Sequence, residues 1–273
     1  MKIIPVFFIC AALVFNAAIA YSAPVGSTAT PALLKSAIVS KDDESAKVGI
    51  IGGFEYDSTN DRKLNGQRGK TDLRFYDAKL GLVFGDRIFL YGIGGTGFLE
   101  AKFRDNGSDF KMETNTDLTW GVGANIVLYE VILYDFDSTV LRLGIDGKYR
   151  GTKFEIDRVM INEGTIYEIP NSIVTDSAIE YNDWQIAGAV SWQWKSLVPY
   201  AGIKYSDASG EMRTTVSGTK YQQDIAGENN LGVFLGAEYI IKDPITDTEA
   251  VSVNVEYRII DEEALSLSCA VRF

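Results

Sequence analysis

The chain has 273 residues, a net charge of −11 and a calculated isoelectric point of about 4.6. This acidic balance argues against a protein that binds nucleic acid through a basic face. The sequence contains no histidine, which removes the usual general base of serine hydrolases and the commonest transition-metal ligand.

The first 20 residues have the pattern of a secretory signal peptide. Lys2 gives a positive start, Ile3 to Ile19 are almost wholly apolar, and Ala18-Ile19-Ala20 is a small-x-small cleavage site. We predict a signal peptide over 1–20. An uncleaved helical anchor is the alternative, disfavoured because the apolar run is shorter than the roughly 20 residues that a span needs. Residues 21–45 are small, polar and Pro-containing, and predict a flexible N-terminal segment.

From Ala46 onward the chain alternates between apolar and polar residues, which is the signature of strands whose successive side chains leave on opposite faces. Ten segments are predicted as strands: Ala46–Tyr56, Thr71–Gly85, Arg87–Phe103, Leu118–Leu128, Leu141–Arg150, Trp184–Trp194, Leu197–Ser206, Asn230–Ile241, Val251–Ile259 and Ala264–Phe273. The third is rich in glycine, and its faces cannot be assigned from the pattern.

The connections between these strands alternate between two kinds. Four are long and polar, and the third of them could carry strand extensions: Asp57–Lys70, Arg104–Asn115, Thr152–Glu180 and 207–229. The others are short turns, at Gly85-Asp86, Asp135–Ser138, Lys195-Ser196, Lys242–Thr248 and Asp261–Glu263. Outer-membrane barrels have this asymmetry, with short periplasmic turns and longer external loops. The predicted fold class is therefore all-β: an antiparallel up-and-down transmembrane β-barrel of about ten strands over 46–273, with the long loops outside.

The tryptophans of the sixth strand fit the thickness of a membrane. Trp184 and Trp194 are ten residues apart, or about 33 Å along a strand. A tilt of roughly 40° reduces this to a rise of about 25 Å, the height of the apolar band of such barrels. We predict that Trp184, Trp192 and Trp194 belong to an aromatic girdle. The alternative is a soluble sandwich whose aromatic residues fill a core, but the charges on the opposite faces disfavour it.

The polar faces of the strands carry charges of both signs. Arg or Lys facing lipid at the midplane costs about 2–4 kcal/mol, so these side chains are expected to face the lumen. They could line a water-filled path and bias which ions pass, or pair across the lumen and plug it. About eight strands leave room only for side chains, whereas about 16 to 18 leave a channel. The predicted lumen-lining charges are Glu55, Asp77, Lys79, Arg142, Asp146, Lys148, Arg150, Lys204, Glu238, Glu256, Arg258 and Arg272.

The last strand alternates without a break. Its apolar face is expected to meet lipid and to act as the signal for outer-membrane assembly; it consists of Leu265, Leu267, Cys269, Val271 and Phe273. Cys269 is the single cysteine after the predicted signal peptide, so no internal disulfide is expected. We interpret it as a small apolar side chain and not as a reactive thiol.

Three stretches carry a resemblance to a known family. They are VSVNVEYRIIDEEALSLSCAVRF (Val251 to Phe273), WQIAGAVSWQWKSLVPYAGIKYSDASGEMR (Trp184 to Arg213) and the weaker FGDRIFLYGIGGTGFLEAKF (Phe84 to Phe103). These stretches resemble the major outer-membrane porin family of chlamydiae. The resemblance implies a porin of the outer membrane, in that family usually trimeric. The family is longer, has more strands and is rich in cross-linking cysteines, so neither disulfide cross-linking nor the pore size carries over.

The predicted function is porin-like passage of ions or small solutes through the charged lumen. The alternative is a closed structural or surface-adhesion barrel that acts through its long acidic loops. An enzyme is not expected, since outer-membrane lipases, acyltransferases and omptin-like proteases depend on histidine. No cofactor or metal is expected either, because the carboxylates of Asp57–Gly66 and Asp243–Glu249 lack EF-hand spacing. The expected partners are outer-membrane lipids, the barrel assembly machinery and other copies of the chain.

Overall fold

A computed structural model describes eleven segments of the chain. They are 48–63, 68–85, 87–105, 108–133, 139–161, 165–169, 174–216, 219–226, 230–242, 249–260 and 262–272. The predicted signal peptide, the predicted N-terminal segment, the turn at 135–138, most of the turn at 242–248 and Phe273 lie outside them.

Thirteen strands make up the described chain. Their bounds are β1 Val48–Lys63, β2 Arg68–Phe84, β3 Ile88–Asp105, β4 Ser108–Thr114, β5 Asp117–Leu133, β6 Thr139–Ile161, β7 Thr165–Glu168, β8 Val174–Gln193, β9 Leu197–Val216, β10 Thr219–Ala226, β11 Leu231–Lys242, β12 Glu249–Ile259 and β13 Glu263–Arg272. No helix in these segments is long and apolar enough to cross a membrane.

Ten of the strands close into a ring, all paired antiparallel. The order is β1-β2-β3-β5-β6-β8-β9-β11-β12-β13, and β13 pairs back with β1 from Ile51↔Arg272 to Asn60↔Glu263. The remaining three extend one end of the barrel: β4 pairs with β3 and β6, β7 with β6, and β10 with β9. The predicted antiparallel barrel of about ten strands is confirmed.

The long polar connections are where the sequence prediction was wrong. Strand β1 runs on to Lys63 and β2 begins at Arg68, so most of the predicted loop Asp57–Lys70 is strand. Strands β4 and β10 lie within the second and fourth predicted loops, and β6 and β8 supply the extensions expected in the third. Strands that project beyond the bilayer keep their backbone ladder but have no lipid face. Their outward side chains can therefore be polar, so the apolar outer face of a lipid-facing strand is missing, although the strand itself continues.

One short turn is tight, as predicted. Trp194 and Leu197 exchange backbone hydrogen bonds of 2.8 and 3.0 Å around Lys195-Ser196. Lys195 has a φ of 55°, and a positive φ is what two-residue hairpin turns need to match the twist of their strands. This turn joins β8 to β9 at the end of the barrel that lacks the extra strands.

The outer surface of the ring is a belt of exposed apolar side chains. Leu80, Leu118 and Ile203 are 63%, 80% and 61% exposed. The residues that alternate with them along each strand point inward and are buried, as in β5, where Thr119, Asn125 and Val127 are enclosed. Because soluble monomers rarely leave so large an apolar surface open, this belt is the surface that faces lipid.

The interior is filled by side chains, and glycine makes the space for the largest of them. Aromatic rings lie over glycines of neighbouring strands so closely that a methyl group at the glycine would come within 2.7 Å of the ring. The pairs are Phe89 with Gly81, Phe75 with Gly97, Tyr91 with Gly123, Phe234 with Gly202 and Tyr200 with Gly236. In β3 this settles the faces: Tyr91, Ile93 and Leu99 point inward.

The β3–β4 hairpin carries a small charge cluster outside the ring. Glu100 accepts from Lys102 at 2.8 Å and from Lys111 at 3.1 Å. Burial alone would raise the pKa of the Glu100 carboxyl, but these two ammonium groups hold that pKa below its usual value of 4.5. A lowered pKa means that the carboxylate stabilises the hairpin above about pH 4.5 and that this stabilisation is lost as the pH falls.

We therefore expect backbone amides of β4 to exchange faster with solvent as the pH drops below about 4.5. The effect should be below about 1 kcal/mol, because such surface pairs are weak. Hydrogen exchange, corrected for the intrinsic pH dependence of amide exchange, measures it. In Glu100→Gln the change with pH should be smaller; an identical profile in the variant would assign the effect to other carboxylates.

Candidate functional site: the barrel interior

Charged side chains from opposite walls meet in the middle of the barrel. Glu55 of β1 accepts from Lys148 of β6 at 2.7 Å, and its second oxygen lies 3.2 Å from Lys79 Nζ of β2. Strands β1 and β6 lie four steps apart in the ring of ten, so the Glu55–Lys148 pair crosses the lumen. Both side chains are almost fully enclosed.

Arg150 is the centre of this arrangement. Its guanidinium contacts three carboxylates: Asp57, Asp77 at 2.9 Å and Glu55 at 3.3 Å. The plane also lies 4.0 Å from the centroid of the Phe75 ring. A planar group with several donors suits this combination, which a lysine could not reproduce. We call Glu55, Asp57, Asp77, Lys79, Lys148 and Arg150 the lumen network.

Two hydroxyl groups extend the lumen network towards β3 and β5. Thr119 donates to Asp77 Oδ1 at 2.7 Å, and Tyr91 donates to Asp146 at 3.2 Å. Tyr91 also places its ring 4.3 Å from Lys79 Nζ. The predicted charge Asp146 is therefore buried against a phenol, and the charges next to it on β6 reach the far wall.

A second polar cluster lies on the opposite wall. Glu262 accepts from Lys204, and Arg258 Nε lies 2.8 Å from the same carboxylate in an ion pair. The hydroxyl of Tyr200 lies 2.9 Å from both Asn254 and Glu256. This cluster joins β9 to β12 across β11, so it also crosses part of the lumen.

The other three predicted charges are also enclosed. Arg142 pairs with Glu130 at 2.7 Å near the turn end of the barrel. Glu238 and Arg272 are buried, and the Arg272 guanidinium lies over Gly49, where an added methyl group would be 3.3 Å from its nitrogen. All twelve predicted residues thus point into the barrel, and nine of them share two clusters. Their role in conduction stays a prediction.

Sequence reasoning missed some of the contributors. Asp57 and Glu262 were assigned to loops, and Tyr91 and Thr119 to strands without a role. Asp57 alternates with Glu55 on β1, so extending that strand by one residue would have found it. Tyr91 and Thr119 carried no such signal, because their partners are 55 and 42 residues away in sequence.

Apolar layers lie above and below the lumen network. On the side of the extra strands the layer contains Leu73, Phe75, Leu99, Met112, Phe154, Ile156, Ile179 and Tyr181. On the side of the short turns it contains Ile51, Val83, Phe89, Val127, Val198, Phe234 and Ile240. Strand β2 shows the sequence of layers in one element, with Leu73 and Phe75, then Asp77 and Lys79, then Val83 facing inward. Charges in the middle of the barrel are therefore enclosed on both sides.

A small cavity remains inside the barrel. It has a volume of about 30 Å³ and is lined on its polar side by Glu55, Lys79, Glu238, Ser252 and Asn254. That volume exceeds the roughly 10–15 Å³ that one water requires. It accommodates one or two water molecules and no larger solute. In the described residues no cluster of carboxylate and cysteine side chains has the arrangement of a metal site.

The predicted girdle tryptophans lie on the outer surface. Trp184, Trp192 and Trp194 are each about half exposed. Trp184 lies next to Tyr205 at the extended end of the belt, and Trp120 lies next to Tyr149, with ring centroids 5.5 Å apart in both pairs. Trp192 and Trp194 lie at the other end, beside the short turn of β8 and β9.

The expected lipid exposure of the last strand was wrong in part. By register, Leu265, Leu267, Cys269 and Val271 lie on its outer face, opposite outward residues of β12. The leucines are partly buried, but Cys269 and Val271 are only 4% and 1% exposed. Alternation gives the face on which a side chain leaves the strand, and does not say whether that face is covered. The proposed role of these residues in assembly stays a prediction.

Comparison with known proteins finds similarity to one family of porins over part of the chain. Residues 105–226 match the family model described as Chlamydia major outer membrane protein. The serovar L3 major outer membrane porin of Chlamydia trachomatis is 24% identical over 219 residues, which are 60% of this chain and 53% of that protein. The major outer membrane porin of Chlamydia muridarum is 24% identical over 222 residues, with the same coverage.

Over these regions the chain is similar to the chlamydial major outer membrane porins. It spans about half the length of the curated relatives it matches. Among solved structures, the outer membrane protease OmpT of Escherichia coli aligns with a TM-score of 0.41 and 12% identity, covering 85% of this chain and 97% of that one. The transport unit of the autotransporter AIDA-I of Escherichia coli aligns with a TM-score of 0.38 and 14% identity, covering 91% and 95%.

The match to this porin family covers strands that supply several of the charged side chains inside the barrel. Residues 105–226 contain β6, which supplies Arg142, Asp146, Lys148 and Arg150, and β9, which supplies Lys204. The partners of Lys148 and Arg150 on β1 and β2 lie outside that match. The lumen network therefore joins a segment that resembles the porins to one that the family model does not reach.

Proposed function

We propose that this outer-membrane barrel passes small ions through its charged interior, along a path that is narrow and closed at rest. The observation that carries the proposal is the lumen network. Charges of both signs line the middle of a barrel whose outer surface is an apolar belt, and burying them there is costly unless they are paired. An interior selected for stability alone could use apolar side chains throughout. The relatives are named porins, which supports the same function.

The narrowness follows from geometry. Ion pairs join the two walls at 2.7 to 3.3 Å, so an ion can pass only when at least one of them separates. The cavity beside Glu55 and Lys79 holds one or two waters, and it offers a permeating ion a first partly hydrated position. We therefore expect brief openings of low conductance and not a steady current.

A closed structural barrel is the second candidate, and the filled interior favours it. The apolar layers above and below the lumen network fill the interior on both sides of it. In that case the ion pairs would hold the walls together, and the long extensions would act outside the membrane. The two candidates differ in one measurable property, the current through a single barrel.

Single-channel recording in planar bilayers tests the proposal. The wild type should show rare, small openings. Lys148→Gln removes the cation that faces Glu55 and should raise the open probability and shift selectivity towards cations; Arg150→Glu should shift it further. Reversal potentials in a salt gradient measure the selectivity.

The matched control is Arg213→Glu. It makes the same change of charge in an exposed pair with Glu180, outside the ring, and should leave conductance unchanged. If correctly folded wild type and both interior variants are silent, the structural candidate is correct. If Arg213→Glu alters selectivity as much as Arg150→Glu, the current does not follow the lumen network.

Three further proposals concern chemistry and partners. We propose that the chain has no enzymatic activity, because the sequence lacks histidine and its interior carboxylates are held in ion pairs. The apolar belt requires lipid around the barrel, and insertion of such a belt requires an assembly machinery. We also propose that the chain associates with further copies of itself, because the family that the sequence resembles is usually trimeric.

A further inference from the structure

A pocket on the outside of the barrel is separate from the lumen and has no part in the proposed conduction. It lies at the extended end of the apolar belt, between β5, β6 and β8, and has a volume of about 490 Å³. That size is within the roughly 300–1,000 Å³ typical of sites for small molecules. Its lining residues are Asp117, Leu118, Trp120, Gly151, Thr152, Lys153, Glu180 and Asn182.

The apolar part of the pocket is a flat surface. Trp120 is 57% exposed and stands beside the exposed Leu118. The indole lies over the backbone of Gly151, where an added methyl group would be 3.3 Å from two ring atoms and 3.3 Å from Asn182 Oδ1. The ring is held at an angle of 56° to Tyr149, with centroids 5.5 Å apart. Glycine at 151 therefore lets the ring and the amide lie close to the sheet.

The polar part of the pocket offers both donors and acceptors. Asn182 Oδ1 accepts from the Tyr149 hydroxyl at 2.7 Å, which fixes the amide at the edge of the indole. Asp117 accepts from the backbone amide of Glu155 at 2.7 Å through one oxygen. Glu180 pairs with Arg213 at 2.9 Å. The carboxylates of Asp117 and Glu180 thus already have partners within the protein. The Lys153 ammonium supplies a further hydrogen-bond donor to the pocket.

We propose that this pocket binds a pyranose sugar. A pyranose has one face of C–H groups, which packs on an exposed indole, and a rim of hydroxyls that both donate and accept. The pocket has the matching parts: Trp120 and Leu118 on one side, and Asp117, Lys153 and Asn182 around it. A phosphate would find a single ammonium next to carboxylates of Asp117 and Glu180, so an anionic ligand is disfavoured.

Such a sugar could reach the pocket from two sources. It could be the head group of a glycolipid, because the pocket opens at the end of the apolar belt where head groups lie. It could equally be a soluble saccharide, because the long extensions face outward in the proposed orientation. The recognition chemistry is the same in both cases, and the two are separated by experiment.

The test uses the full barrel folded in lauryldimethylamine oxide, a detergent without a sugar. Methyl β-D-galactopyranoside is titrated and followed by saturation-transfer difference NMR and by tryptophan fluorescence. In a second arm, the barrel in phosphatidylcholine nanodiscs with and without digalactosyl diacylglycerol is followed by tryptophan fluorescence. We expect saturable binding in at least one arm, abolished in Trp120→Phe and weakened about tenfold in Asn182→Ala, the loss of one good polar contact.

The barrel supplies its own matched controls. Trp184 is paired with Tyr205 at the same 5.5 Å, and Asn230 donates to Tyr205 at 3.1 Å, but neither residue lines the pocket. Trp184→Phe and Asn230→Ala should bind as the wild type does. Binding in the first arm identifies a soluble saccharide, and binding in the second arm alone identifies a glycolipid. No binding in either arm, or equal losses in the control variants, overturns the proposal. Conductance is measured separately, so its outcome does not affect this one.

Discussion

Replacing Arg150 by alanine is expected to lower the free energy of unfolding of the barrel by about 3–5 kcal/mol, the usual cost of removing one partner of a buried ion pair. The guanidinium is the shared partner of Glu55, Asp57 and Asp77. Without it Asp57 and Asp77 lose their ion pairs with Arg150 in an enclosed layer, whereas Glu55 keeps its contacts with Lys79 and Lys148. The ring of Phe75 also loses the plane that stacks on it.

Urea unfolding in detergent micelles measures this loss, and the mobility of unheated samples on denaturing gels checks that each variant folds. Arg213→Ala is the matched control, because its pairs with Glu180 and Glu211 are exposed to solvent. Its effect should be much smaller. A triple variant that combines Arg150→Met with Asp57→Asn and Asp77→Asn should recover part of the stability, since it removes two of the stranded charges. If the triple variant is less stable than Arg150→Ala, stranded charge is not the cause.

The sequence predicted which side chains point into the barrel better than it predicted which of them meet across the lumen. Alternation alone indicated that Glu55, Lys148 and Arg150 point inward, because a charge on the other face would meet lipid. It could not indicate that Glu55 meets Lys148, because that depends on which strands the closed ring sets opposite each other. Residues 93 positions apart in the sequence have no local pattern in common.

The same limit applies at both ends of the barrel. The strand extensions around β4 and β10 meet no lipid and need no apolar outer face, so the pattern that revealed the ring disappears there although the hydrogen-bond ladder continues. On β13 the pattern gave the correct outer face for Cys269 and Val271, yet both are enclosed. Alternation along a strand predicts the face from which a side chain leaves. Whether other parts of the protein then bury that side chain depends on tertiary structure.

Gly123→Ala is expected to destabilise the barrel by about 1–3 kcal/mol, the usual cost of overpacking an interior. The added methyl group would lie 2.3 to 2.6 Å from three atoms at the far end of the Tyr91 ring. To avoid it the ring must turn, and the hydroxyl then leaves Asp146, which it contacts at 3.2 Å. The substitution therefore strains the packing and also weakens a hydrogen bond at the edge of the lumen network.

Gly94→Ala is the control for Gly123→Ala, because Gly94 lies on the outer face of β3 and a methyl group there has no neighbour within 4 Å. Alanine also costs less conformational entropy than glycine in a strand, so this variant should unfold at the wild-type urea concentration or slightly above it. A Tyr91→Ala background removes the ring. Gly123→Ala should then cost little, and the difference between the two backgrounds isolates the contact. If Gly123→Ala is equally harmful without the ring, the glycine is required for its backbone and not for the space it leaves inside the barrel.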